Sequence, residues 1–143
     1  MGKIIGIFIS DGGVPKSSVT SIEVGIDGLQ GDQQNNKKYH GGKDKAVCVL
    51  DYNVLLKLQG EGHPIGPGTT GENLLISGFD LHIGSIFCVG NIELEVTSAA
   101  VPCKTIANSF TNGDFSKLSN KKYPGQTRWY CKVICPGVIS VSG

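Results

Sequence analysis

The chain has 143 residues, 39% of them hydrophobic and 17% charged, and a formal net charge of +1. That length suits one compact domain with a real apolar core. The near-neutral charge argues against nucleic acid or an anionic membrane as a partner, because no long-range field favours either.

Met1–Ile9 opens with a short apolar run. It is too short to span a bilayer and lacks a small-residue cleavage site after a long apolar region, so neither a membrane anchor nor a signal peptide is expected. Ile4–Ser10 reads as a strand, Asp11-Gly12-Gly13 as a turn and Ser21–Val24 as a second strand. Gly25–Tyr39 is polar and irregular, a long loop. Ala46–Leu50 is a continuous apolar run, the pattern of a buried strand. Asp51 is placed to cap a helix over Tyr52–Leu58, where Val54, Leu55 and Leu58 share a face.

Gly60–Gly71 is a second loop rich in glycine and proline, followed by a strand over Asn73–Ile76. Ser85–Val89 and Asn91–Thr97 flank a tight turn at Gly90-Asn91. In the second arm Ile92, Leu94 and Val96 alternate with Glu93, Glu95 and Thr97, as in a half-buried strand. Cys103–Phe110 reads as a short helix and Lys117–Pro124 as a polar loop. Thr127–Cys135 alternates again, with Trp129, Cys131 and Val133 on one face and Arg128, Tyr130 and Lys132 on the other. Val138–Val141 is the last candidate strand. Many short strands punctuated by 21 glycines predict a mostly β fold, a small closed or nearly closed β-barrel with a few short helices, in one domain over residues 1–143.

Five cysteines occur, Cys48, Cys88, Cys103, Cys131 and Cys135, without a CxxC pair. Structural zinc is therefore not expected, and a reduced, cytoplasmic protein is the simpler inference. Cys103 stands apart. It follows Pro102 at the start of the short helix, where unpaired backbone N–H groups, the macrodipole and the Lys104 charge favour thiolate. Such a thiolate can hold sulfur as a persulfide, coordinate a soft metal or attack an electrophile. The plainer alternative is a small buried core cysteine. Cys103 is expected to react faster with alkylating reagents than the other four.

Polar groups recur where a loop meets a strand: Gly28-Leu29-Gln30-Gly31-Asp32, then His40-Gly41-Gly42-Lys43-Asp44-Lys45, then Gly71-Glu72-Asn73. Each has an ordinary reading. His40 suits a loop, Gly41 and Gly42 can merely turn the chain, Asp32 suits a turn, and Lys43, Lys45 and Arg128 suit a solvated surface. In order, however, GLxGD, HGG before an Ala-Val strand, GEN, Pro-Cys and a Trp-Tyr-x-Lys-Val strand resemble the MOSC family, the molybdenum cofactor sulfurase C-terminal domain. The resemblance runs from about Gly28 to about Gly137.

That resemblance implies a barrel of the pyruvate-kinase-barrel-like kind, with a pocket for molybdenum–molybdopterin. It points to Cys103 as the catalytic or metal-contacting residue, carrying sulfur or ligating molybdenum. Carried over by motif, it assigns Asp32, His40, Gly41, Gly42, Glu72 and Asn73 to cofactor binding, with Arg128 in the matching C-terminal strand; Lys45 and Lys104 are added as candidate phosphate contacts by their charge. The function implied is cofactor binding and sulfur carriage during cofactor maturation. The alternatives are a molybdenum-dependent reductase of N-hydroxylated compounds working with a separate electron donor, and a non-catalytic interaction barrel. The partners implied are the pterin, a separate sulfur donor such as a cysteine desulfurase, and a molybdoenzyme or cofactor-biosynthesis protein. At this length no pyridoxal phosphate desulfurase or extra N-terminal barrel is expected, and no pyridoxal phosphate held by this chain. In one place the sequence departs from the pattern. Many relatives carry an arginine two residues before Pro-Cys, whereas here the stretch is Ser98-Ala99-Ala100-Val101. Lys104 and Arg128 are the candidates to replace that phosphate contact.

Overall fold

A computed structural model describes residues 2–10, 14–32 and 43–142. Its ten strands are β1 (Lys3–Ile9), β2 (Ser17–Val19), β3 (Ser21–Gly25), β4 (Gly28–Leu29), β5 (Val47–Asp51), β6 (Leu74–Ser77), β7 (Ile86–Val89), β8 (Ile92–Ala99), β9 (Arg128–Cys135) and β10 (Gly137–Ser140). One α-helix, α1 (Tyr52–Gly60), follows β5. Short 3-10 helices cover Lys43–Lys45, Lys104–Ser109, Thr111–Gly113 and Phe115–Leu118.

Seven strands form one sheet in the order β2-β1-β6-β5-β9-β8-β7, and three form a second in the order β10-β3-β4. The mostly β class expected from the sequence is present, but the closed barrel is not found among the described residues. The end strands β2 and β7 are only three and four residues long and pair on one side each. The core is closed by stacking instead. Val24, Leu29 and Ile139 of the small sheet pack against Ile7, Val49, Leu94 and Trp129 of the large one. Stacking two sheets buries the same apolar faces that a hydrogen-bonded ring would bury.

The other face of the large sheet carries a second core. Phe8, Leu50 and Leu75 meet Leu55 and Leu58 of α1 and Ile106, Phe110 and Leu118 from the 3-10 segments. A bulge between Ile4 and Gly6 lets β1 serve both cores, so that Ile4 and Ile7 face one and Phe8 the other. Helix α1 begins as its sequence dictates: the Asp51 side chain accepts a hydrogen bond from the Asn53 N–H at 2.9 Å. Burying Leu55 and Leu58 contributes about 1.5–3 kcal/mol each. Nothing helical among the described residues is long and apolar enough to cross a membrane.

Candidate functional site

The second face turns polar beyond the apolar core of α1. Strand β9 places Arg128 and Tyr130 there, opposite Leu50 and Cys48 of β5. Cys48, Tyr130 and Ala100 form a small buried cluster of their own. Asn73, just ahead of β6, docks beside Cys48. Its N–H donates to the Cys48 carbonyl at 2.7 Å, and its side-chain oxygen accepts from the Cys48 N–H at 2.9 Å.

Asp32 joins this group from the end of the β4 turn. Its carboxylate accepts from Asn73 Nδ2 at 2.9 Å, from the Ser10 N–H at 2.9 Å and from Lys16 Nζ at 3.0 Å. The Lys16 and Asp32 side chains are 6% and 5% exposed, so the ion pair is buried. Such a pair tolerates burial because every carboxylate contact is a donor. Asp32 therefore acts as a bracket holding three loops together.

Glu72 is wholly buried. Its carboxylate accepts from the Gly68 N–H and from the Thr70 hydroxyl, both at 2.8 Å. Burial pushes its carboxyl above the ordinary value, and these two hydrogen bonds oppose that shift. Arg128 Nη1 donates to the Thr70 carbonyl at 2.7 Å. Arg128 Nε is buried and has no hydrogen-bond partner among the described residues. Arg128 is also the chain's only arginine. A cation kept 8% exposed with a free donor is costly unless an anion completes it.

Cys103 reaches the site through a short tether. The Ala100 N–H donates to the Arg128 carbonyl at 2.9 Å, fixing the segment that leads to Pro102 and Cys103 against β9. The Cys103 and Cys48 sulfurs and the Arg128 guanidinium all act on the Tyr130 phenol, which burial lifts well above its ordinary range. Cys103 is half-buried, and its Sγ lies 2.8 Å from Thr105 Oγ1. The expected helix over Cys103–Phe110 is a 3-10 helix over Lys104–Ser109, with Cys103 at the extended cap position. Six residues of 3-10 geometry give a much smaller dipole than the α-helix first turn expected there.

The structure thus brings Asp32, Glu72 and Arg128 within electrostatic reach of Cys48, bonds Asn73 to Asp32, and puts Cys103 within electrostatic reach of Tyr130. Lys45 stands at the edge, its Nζ 5.3 Å from the Tyr130 ring centre. Lys104 is exposed, whereas Arg128 is buried. His40, Gly41 and Gly42 lie outside the described residues. Of the other cysteines, Cys48 and Cys131 are buried but Cys88 and Cys135 are exposed. The expectation that all four react more slowly than Cys103 therefore has burial behind it for only two.

Three participants were not singled out from sequence: Lys16, Cys48 and Thr70. Cys48 was hidden in an apolar run, and Lys16 and Thr70 sit in ordinary loop contexts. A signal for Arg128 was available, since every other member of the 13 lysines and arginines is lysine.

A family model for the MOSC domain matches residues 36–142. Protein YiiM of Escherichia coli (strain K12) is 30% identical over 120 residues, covering 79% of this chain and 53% of its own length. The uncharacterized protein YflK of Bacillus subtilis (strain 168) is 26% identical over 136 residues, covering 92% of this chain and 61% of its own. The chain thus spans between about half and three fifths of these curated relatives. The crystal structure of YiiM from Geobacillus stearothermophilus shares the fold, with a TM-score of 0.73 at 23% identity over 98% of this chain and 71% of that one. With three quarters of its length matched by the family model, and Glu72, Cys103 and Arg128 all inside that span, this chain belongs to the MOSC domain family.

Proposed function

We propose that the chain binds molybdopterin or its molybdenum form, and that Cys103 holds transferable sulfur or contacts molybdenum during cofactor maturation. The MOSC family is associated with the molybdenum cofactor. The observation that carries the reading to this chain is Arg128, a buried guanidinium with an unpartnered Nε on the strand tethered to the Cys103 segment. That donor set fits an anionic group such as the pterin phosphate, because guanidinium matches phosphate oxygens in geometry and charge. It also supplies the cation that the stretch before Pro102 lacks.

When bound, the cofactor supplies redox and sulfur- or oxygen-transfer chemistry at molybdenum. The chain's residues hold and orient. Arg128 receives the anion, Asn73 and Asp32 fix the strand ends, and Glu72 fixes the turn beside Arg128. His40, Gly41 and Gly42 belong to the same proposal through the family pattern alone. In sulfur loading, the Cys103 thiolate attacks the outer sulfur of a donor persulfide. The new S–S bond forms on Cys103 as the donor's S–S bond breaks, and the donor leaves as thiolate, so no outside oxidant is needed. A cysteine desulfurase is a suitable donor, and a molybdoenzyme or cofactor-biosynthesis protein the recipient.

Incubation with a persulfide-loaded cysteine desulfurase tests this reading by intact mass. A gain of about 32 Da, one sulfur atom, is expected on the wild type and absent in Cys103→Ser. Molybdopterin titration should saturate in the wild type. No adduct and no pterin binding would overturn the proposal. Reduction of an N-hydroxylated compound by molybdenum-loaded protein with a supplied electron donor, without any adduct, would instead favour the reductase reading.

A further inference from the structure

We propose that Thr70 is the positioning residue that presents the Arg128 guanidinium to its anionic ligand. The proposal rests on the reading of Arg128 given above, and no motif in the sequence pointed to Thr70.

An arginine side chain has many rotamers to choose among, so a guanidinium held ready for a ligand needs an anchor. The Nη1 bond to the Thr70 carbonyl is that anchor. A backbone carbonyl holds a guanidinium in place only if its own peptide plane is fixed. The Thr70 peptide lies in a turn flanked by two glycines in the left-handed region, Gly68 at φ +79° and Gly71 at φ +80°. The Gly71 N–H of the same peptide makes only a long bond, 3.3 Å, to the Gly68 carbonyl, and glycine on both sides leaves the plane room to rotate about it.

The Glu72 carboxylate removes this freedom. One oxygen accepts the Gly68 N–H and the other accepts the Thr70 hydroxyl, so the two halves of the turn are tied through a single buried group. Thr70 itself is fully buried. Its hydroxyl therefore locks the turn while its carbonyl, on the same residue, grips Arg128. Neither of these contacts uses Nε, which stays available to the ligand.

The test uses two features of this chain. Arg128 is its only arginine, so its Nε–H gives a single arginine signal in a nitrogen-correlated NMR spectrum, and Trp129, the only tryptophan, adjoins it as a fluorescent reporter of binding. Thr70→Val removes the hydroxyl and keeps the shape, whereas Thr70→Ser keeps the hydroxyl. Thr70→Val should shift the Nε–H signal and weaken molybdopterin binding about tenfold, the effect of one buried hydrogen bond. Thr70→Ser should stay within about twofold of the wild type, well short of the effect of one such bond. In an Arg128→Lys background, Thr70→Val should cause no further loss, because coupled residues are not additive.

An unmoved Nε–H signal in folded Thr70→Val would overturn the proposal. So would an equal loss of affinity in both backgrounds, which marks a merely structural role. If the wild type binds no molybdopterin while the Nε–H signal moves in Thr70→Val, the positioning holds and the cofactor reading falls.

Discussion

Asn73 and Asp32 share one hydrogen bond, Nδ2 to Oδ2 at 2.9 Å, and through it the start of β6 is fastened to the β4 turn. The other side of the same amide accepts the Cys48 N–H at 2.9 Å. One buried side chain thus joins three parts of the chain that the sequence keeps far apart. Removing it in Asn73→Ala leaves a buried N–H and one carboxylate oxygen short of partners. Each such orphan costs about 1–3 kcal/mol, so a loss of about 2–6 kcal/mol is expected in urea denaturation. A loss below about 0.5 kcal/mol, the range of ordinary surface changes, would show that this amide does not fasten the site.

The Lys16–Asp32 pair makes a second prediction. Both side chains are nearly inaccessible, so Lys16→Met strands a buried carboxylate. Breaking such a pair from one side costs about 3–5 kcal/mol. Combining Lys16→Met with Asp32→Asn removes the stranded charge and should recover much of that loss. A double-mutant cycle measured by denaturation checks this. Strict additivity would mean that the two groups do not act as a pair.

Much of the strand and helix order was legible because it is local. The alternation of Ile92, Leu94 and Val96, the Asp51 cap and the Gly90-Asn91 turn all report on neighbours within a few residues. The sheet order was not, since β6 inserts between β1 and β5, and β9 lies beside β5 across most of the chain. Nothing local distinguishes a closed ring from two stacked sheets. The site divides in the same way. Cys103, Glu72 and Asn73 stood out by motif, whereas Cys48 gains its place only by facing Tyr130 across the β5–β9 pairing. Thr70 matters only because Arg128, remote in sequence, bonds to its carbonyl.

Glu72 gives a pH prediction. Burial raises its carboxyl above the ordinary 4.5. For an acid whose folded value exceeds its unfolded one, the folded state holds the proton more tightly. The associated stability is fully present below the unfolded value and is lost as pH rises through the folded value. Glu72→Gln cannot ionise, so its stability relative to the wild type should improve as pH rises from about 4 towards neutrality. Denaturation of both proteins across that range checks the sign. A relative stability that falls with pH would mean that the carboxylate is favoured by its two donors over burial.

The thiols make a prediction that owes nothing to the cofactor. Burial pushes Cys48 up to about 11, with the Arg128 and Lys16 charges opposing, and burial also raises Cys131. Alkylation needs thiolate and access. In the folded protein at neutral pH, iodoacetamide should modify Cys88, Cys135 and Cys103 while Cys48 and Cys131 stay unmodified, as read by peptide mass spectrometry. Modification of Cys48 as fast as in unfolded protein would contradict the packing of Cys48 beneath Tyr130.

Gly68 and Gly62 separate backbone strain from contact at the turn that supports Arg128. Gly62 sits at φ +95° with open space where a Cβ would stand, so Gly62→Ala meets strain alone, about 1–2 kcal/mol. Gly68 sits at φ +79°, and a Cβ there would lie 2.8 Å from the Lys16 carbonyl oxygen and 2.9 Å from Phe8 Cδ1. The Lys16 backbone cannot retreat freely, because its N–H donates to the Gly68 carbonyl at 3.0 Å and its side chain is held by Asp32. Gly68→Ala should therefore cost the same strain plus about 1–3 kcal/mol of overpacking. It should also weaken molybdopterin binding, whereas Gly62→Ala, in the turn directly after α1, should leave binding unchanged. Equal stability losses in the two variants would mean that the turn yields to the added methyl, and that Thr70 is not held as firmly as its contacts imply.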